Sequence, residues 1–187
     1  MTFEDKIFTD VNFNRQSLNI GDYEYCTFKN CDFSNVKLSG FNFLECEFVN
    51  CNLSSANLQK VSFHNIAFIE CKMLGLRFES CETFGFSVRF KECNLSHCSF
   101  YAVKLKKTVF EACVLESVDF TESNLEQASF KSSDLKESIF FRSNLEKTDF
   151  KTAKNYSFDP EKNQLKGALF STPEVLSLLD KYKIKID

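Results

Sequence analysis

A large apolar side chain occupies every fifth position over almost the whole length of this chain. The central residue of each pentapeptide is apolar in sixteen of sixteen repeats from Phe3 to Phe78, and in thirteen of thirteen from Phe90 to Phe150. A period of five matches neither a β-strand, which repeats every two residues, nor an α-helix, which repeats every 3.6. Each pentapeptide must therefore be one turn-bearing unit that aims its central residue at a shared axis. The residue two positions earlier is mostly Cys, Ser, Ala or Val, so one large and one small residue per unit fill a narrow interior.

The segments SNLEQASFKSSDLKESIF and CNLSHCSF resemble the A(D/N)LXX motif of pentapeptide-repeat proteins, and the resemblance covers roughly residues 3–170. That family folds as a right-handed quadrilateral parallel β-helix, an all-β solenoid with four pentapeptides in each square coil. The resemblance therefore implies about eight coils and a tube about 40 Å long at the usual strand spacing of roughly 4.8 Å.

Twenty residues per coil would place residues i and i+20 directly above one another. One phenylalanine ladder then runs from Phe8 to Phe150 on a single wall, provided that a two-residue bulge lies in the segment ETFGFS at 82–87. The same register stacks five cysteines on a neighbouring wall: Cys31, Cys51, Cys71, Cys93 and Cys113. All nine cysteines fall at the small inward position, where a buried thiol behaves as a small hydrophobe. We therefore predict free thiols, with no disulfide, metal or cofactor.

The pentapeptide pattern falters at AKNYSFDPEKNQL and recovers for a last half-coil that ends at Phe170. We therefore divide the chain into a solenoid at 1–170 and a C-terminal capping or dimerisation segment at 171–187. Pro173 and Glu174 suit the first turn of a helix. Four residues share one face of that helix and are candidate dimer contacts: Val175, Leu178, Leu179 and Tyr182.

The alternation of Tyr182, Ile184 and Ile186 predicts a short strand after this helix. An open solenoid end exposes its core and unpaired strand edges, so a cap is required. The segment either folds back on its own coil or pairs with a second copy in a homodimer, and both alternatives remain open.

Composition and motifs argue against several function classes. A formal net charge of −3 does not suit direct nucleic-acid binding, which needs a basic patch. No apolar run approaches membrane length and no signal peptide is visible, so we expect a cytoplasmic protein. His64 and His97 lie on outward positions of different faces, and no nucleophile motif, phosphate loop or dinucleotide fingerprint occurs. We predict a protein that is not an enzyme.

Two outward surfaces are candidate partner sites. The first, which we name the acidic face, has no Lys or Arg at its flanking positions and consists of Glu4, Asp5, Asp22, Glu24 and Glu45. Further along the same face the charge changes sign, at Lys104, Lys106 and Lys107. The second, the aromatic patch, consists of Tyr101, Ile139 and Phe141 on one wall, and exposed aromatic residues often mark a partner site.

The segments CKMLGLRFESC and ALFSTPEVLSLLDKYKIKI resemble the mid-coil and C-terminal dimer segments of the Qnr-type quinolone-resistance proteins. Those proteins are understood as duplex-shaped mimics that bind DNA gyrase and topoisomerase IV and protect them from quinolones. The resemblance implies that the acidic face binds a topoisomerase and that the protein is a homodimer. The alternative is a scaffold or adaptor for another protein partner. Whether a topoisomerase would be protected or inhibited is open.

Overall fold

The structure, a computed structural model that describes residues 1–185, is a parallel β-solenoid. The strands are β1 (Thr2–Glu4), β2 (Ile7–Thr9), β3 (Asp22–Glu24), β4 (Thr27–Lys29), β5 (Asn42–Leu44), β6 (Glu47–Val49), β7 (Ser62–His64), β8 (Ile66–Ile69), β9 (Val88–Lys91) and β10 (Phe110–Glu111). Three 3-10 helices lie at Phe78–Ser80, Pro160–Lys162 and Glu174–Tyr182. The predicted fold class is confirmed.

The strands form two parallel sheets, each on one wall of the tube. The first wall carries β1, β3, β5 and β7 in that order, and the second wall carries β2, β4, β6, β8, β9 and β10. The second sheet pairs Phe8 with Phe28 and, across the bulge at 82–87, Phe68 with Phe90. Successive rings in this ladder stack at 4.8–5.4 Å between centroids. The register and the position of the insertion are as the sequence predicted.

The number of turns differs slightly from the prediction. The longest continuous strand ladder has six rungs, so the solenoid has about six turns where the sequence predicted about eight. Beyond β10 the walls continue as isolated parallel bridges, such as Ser129 to Asp149 and Asp149 to Leu169. On these later walls only one residue per pentapeptide takes part in a parallel bridge, so the ladder of strands ends at β10 although residues i and i+20 stay paired.

The corners explain how a tube with so many turns needs only five glycines. The residue two positions after the pentapeptide centre adopts the left-handed conformation at most corners, with φ between 50° and 62° in non-glycine residues from Asp5 to Asn155. This conformation costs roughly 1–2 kcal/mol for an L-residue. The cost is offset by a hydrogen bond to the next coil, as from Asp5 N to the Glu24 carbonyl at 3.0 Å and from Glu45 N to the His64 carbonyl at 2.9 Å.

The two ends of the tube are closed differently. At the N-terminal end Phe3, Phe8 and Leu18 are only half-buried, since no coil covers them. At the other end the 3-10 helix Glu174–Tyr182 lies on the last coil and buries Leu178 against the core. The predicted strand does not form, because Tyr182 ends this helix and residues 183–185 are not in a strand; Ile186 lies outside the described residues.

Candidate protein-binding surfaces

The outer side of the first wall holds three carboxylates of the acidic face on neighbouring strands. Glu4 and Glu24 are register partners in β1 and β3, so like charges stand side by side on adjacent rungs. Asp22, at the start of β3, accepts a hydrogen bond at 2.6 Å from the side-chain amide of Asn42 in β5. These side chains are placed by the flat sheet beneath them, whose central residues Tyr23 and Phe43 are buried.

The other two carboxylates of the acidic face lie along one corner of the same wall. Asp5 and Glu45 occupy corner positions two coils apart, and the exposed Tyr25 lies between them. Glu45 accepts a hydrogen bond at 2.5 Å from the side-chain amide of Asn65 on the next coil. The structure therefore brings all five predicted carboxylates together on one surface.

The carboxylates of the acidic face form no ion pair among residues 1–185. The later coils are different, because their acids pair with bases twenty residues away, as in Glu111 with Lys131 at 2.6 Å and Glu116 with Lys136 at 2.7 Å. Residues 1–81 contain ten Asp and Glu against seven Lys and Arg, whereas the remaining residues contain sixteen of each. The net negative charge of the chain thus lies wholly in the half that carries the acidic face.

A groove follows the outer side of the first wall and ends at the bulge. Its volume is about 470 Å³, and its ends carry Asp22 and Glu24 on one side and Glu82 and Phe84 on the other. Phe84 is 85% exposed, and its ring lies 6.3 Å from that of His64. Sequence reasoning placed the bulge but missed Phe84. The sequence did hold a signal for an exposed ring, because ETFGFS contains two phenylalanines. Of these, only Phe86 packs against the core.

The aromatic patch lies on a different wall. Tyr101, Ile139 and Phe141 are 44%, 52% and 38% exposed. The Tyr101 hydroxyl donates to Glu122 at 3.0 Å, and this hydrogen bond raises the pKa of Tyr101. Arg142 lies 5.0 Å from the Phe141 ring centroid and 3.8 Å from Glu122. These contacts hold the two rings in place beside a balanced charge pair.

The candidate dimer residues are divided between two roles. Leu178 is buried and Val175 packs against the core of the same chain, while Leu179 remains half-buried and Tyr182 is 53% exposed. The Tyr182 hydroxyl donates to Glu161 at 2.9 Å. This side of the helix therefore caps its own coil, and Leu178 is the one candidate among the four that is buried there.

The cysteines are part of the interior. All nine are buried free thiols, and Cys51 and Cys71 donate to the carbonyls of Phe28 and Phe48 at 3.3 Å each. Burial raises the pKa of Cys46 to about 12. Within residues 1–185 no three His, Cys, Asp or Glu side chains are grouped as metal ligands would be. No helix in this part of the chain is long and apolar enough to cross a membrane.

A quadrilateral tube of stacked pentapeptides with a filled interior defines a class of repeat protein. Two family models match the chain, "Pentapeptide repeat region" at residues 86–154 and "Pentapeptide repeats (8 copies)" at residues 26–65 and 46–81. The chain belongs to the pentapeptide-repeat family. A search of curated protein sequences finds no match.

Two solved structures of one other protein have the same fold. Two trypsin-treated variants of QnrB1, described as a plasmid-mediated fluoroquinolone resistance protein, align with TM-scores of 0.50. The first is 23% identical and the alignment covers 98% of this chain and 99% of that one; the second is 21% identical and both chains are covered completely. HetL from the cyanobacterium Nostoc sp. strain PCC 7120, a pentapeptide-repeat protein involved in heterocyst differentiation regulation, is 13% identical, with a TM-score of 0.44 over 91% of this chain and 86% of its own.

Proposed function

We propose that this protein is a non-enzymatic binding protein whose acidic face docks on the basic, DNA-binding groove of a type II topoisomerase, such as DNA gyrase or topoisomerase IV. The observation that carries the proposal is the set of five carboxylates on one wall, none of which is neutralised by a described base. Lys6 follows Asp5 in the sequence but belongs to the next pentapeptide, whose centre is Phe8 on the second wall, and it forms no ion pair with any described residue.

The charge density of the acidic face is close to that of a nucleic-acid duplex over a short distance. Its five carboxylates span three rungs, or about 10 Å at a strand spacing of roughly 4.8 Å. Duplex DNA carries one charge per ~1.7 Å of its axis, or about six over that length. A surface of this kind attracts a groove that is built for phosphates, and it speeds the encounter by long-range steering.

Rigidity favours the same partner. The acidic face is carried by a sheet with continuous backbone pairing, from β1 through β7, so binding would order little of the chain. A surface that is ordered in advance loses less entropy on association. The likeness to QnrB1 extends over almost the whole chain. Protection of a topoisomerase from fluoroquinolones is accordingly part of the proposal.

The test is DNA supercoiling by purified gyrase, with and without ciprofloxacin, at increasing concentrations of this protein. We expect the protein to change supercoiling or ciprofloxacin sensitivity at low salt, and the effect to weaken steeply as salt rises. The double variant Glu24→Lys with Glu45→Lys should abolish the effect. The matched control is Asp10→Lys with Glu70→Lys, which changes the net charge equally at two exposed corners of the second wall. The proposal would be refuted if both double variants lost the effect on gyrase equally, or if the unaltered protein had no effect on supercoiling or ciprofloxacin sensitivity.

The aromatic patch favours a second candidate function, that of a scaffold or adaptor for another protein. Tyr101 and Phe141 lie on one wall, fixed by Glu122 and Arg142, and aromatic residues are common anchors in interfaces. The variant Phe141→Ser should then remove binding of that partner without lowering the unfolding midpoint by more than a surface change would. Retained binding would exclude the patch as the anchor.

A further inference from the structure

The groove on the first wall has a definite arrangement of charge along its length. Asp22 and Glu24 lie at the β3 end, and Glu82 lies with Phe84 at the bulge. Between them lie exposed Asn42 and half-buried Leu44, Ser62 and His64, while the Phe43 ring beneath them packs into the core. No Lys or Arg lines the groove among the described residues. Its two ends are therefore acidic, and the lining between them holds no carboxylate.

Phe84 is held at the end of this groove by the backbone of the bulge. Glu82 N donates to the Val61 carbonyl and Ser87 N to the Phe63 carbonyl, both at 2.9 Å. Gly85 between them has φ +69°, and a Cβ at this position would lie 2.7 Å from Cε1 of His64. The bulge thus packs closely over His64. The Phe84 ring is 85% exposed beside this anchored backbone, so it is accessible to a ligand in the groove.

We propose that this groove binds a short extended segment of a basic protein partner, with one arginine at each end of the segment. The inference deepens the proposed function, on which it rests, by naming the partner chemistry that the first wall recognises. The β3 end and the bulge are three rungs apart, or about 14 Å. Residues four apart in an extended segment are separated by the same ~14 Å and point to the same side.

The chemistry of the groove favours arginine over lysine. A guanidinium group is planar, pairs with a carboxylate through two parallel hydrogen bonds, and is weakly hydrated, so it stacks well on an aromatic face. Glu82 and Phe84 lie together at the bulge and offer both interactions to one guanidinium. An ammonium group would gain the charge attraction but less from the ring.

The experiment measures binding of three peptides to the full-length protein by calorimetry at low ionic strength, with His64 ring shifts followed by NMR. The probes are acetyl-Arg-Ala-Ala-Ala-Arg-amide, its lysine counterpart, and a peptide of the same composition with adjacent arginines. We expect the spaced arginine peptide to bind about twofold to fivefold more tightly than the lysine peptide. It should also bind more tightly than the adjacent-arginine peptide and shift the His64 resonances.

Two variants locate the site. Phe84→Ala should reduce the affinity for the spaced arginine peptide to that for the lysine peptide, whereas Phe141→Ala on the aromatic patch should leave it unchanged. Equal affinities for the three peptides, or no effect of Phe84→Ala, would overturn the inference and leave only non-specific charge attraction. If the peptide binds as expected but gyrase is unaffected, the inference about the groove is supported and the topoisomerase proposal is refuted. If gyrase responds but Phe84→Ala changes neither the peptide affinity nor the effect on gyrase, the inference about the groove is refuted and the proposal about the acidic face is supported.

Discussion

Replacing Phe110 with alanine should be among the most destabilising single changes in the chain. Its side chain is fully buried. The ring stacks on Phe90 and Phe130 at 5.1 Å and meets Phe100 and Phe120 edge-on at 5.9 and 5.8 Å. Loss of a buried phenylalanine costs about 3–5 kcal/mol when the surroundings cannot collapse. The backbone at this rung is fixed on both sides, so we expect a value in the upper half of that range.

The matched control is Phe8→Ala in the same ladder. Phe8 lies at the open end, is only half-buried and stacks on one ladder neighbour, Phe28, at 4.9 Å. Its loss should cost about 1–2 kcal/mol, since part of the ring is already in water. Urea denaturation of both variants under reducing conditions, with m-values compared, measures the difference. Equal costs would refute the reasoning that each ring is stabilised by the rungs directly above and below it.

Three further outcomes are expected. Hydrogen bonds from Lys181 lower the pKa values of Asp159 and Glu161, so these carboxylates stabilise the docked helix above their unfolded pKa values of about 4. Docking should therefore weaken as the pH falls below that range, and the protection factors of residues 174–182 against hydrogen exchange should decrease. Protection factors of the unaltered protein that do not change with pH, or that change equally in Lys181→Met, would contradict this. Thiol reagents at pH 8 should label none of the cysteines in the native state and all nine after unfolding. We also predict a homodimer through residues 171–187 that Leu179→Glu disrupts, and light scattering of a monomer at all concentrations would count against it.

The interior of the tube could be predicted from sequence because every repeat has a large apolar residue at its centre and a small residue two positions earlier. The ladder from Phe8 to Phe150 needs only the period of five, four repeats per coil and one insertion. The ion pairs of the later coils were also present in the sequence, since Lys106 and Glu126, at 2.8 Å, are twenty residues apart. A search for opposite charges at i and i+20 would have found them.

The bulge and the C-terminal segment could not be predicted in the same way. At 82–87 the frame is broken, and the choice between Phe84 and Phe86 as the inward ring depends on the space over His64, which only the folded coil defines. The helix at Glu174–Tyr182 is of the 3-10 type and includes Tyr182. Its form depends on docking against the last coil, which sequence periodicity does not describe. In both segments the five-residue period is interrupted, so the sequence does not show which residues lie above one another.

The bulge also divides the first wall into two surfaces of opposite sign. Its strands end at β7, and the wall resumes as bridges from Lys104 to Asn124 and Asn144. The carboxylates of the acidic face form no ion pair with a described residue, whereas Lys106 after the bulge pairs with Glu126. A basic partner would therefore engage only the N-terminal part of the rod. If the predicted dimer forms through 171–187, the two acidic faces lie at its outer ends, because Glu4 is in the first coil and the helix covers the last. Such a dimer could bind two basic grooves at once, but only if they are separated by nearly the length of both rods.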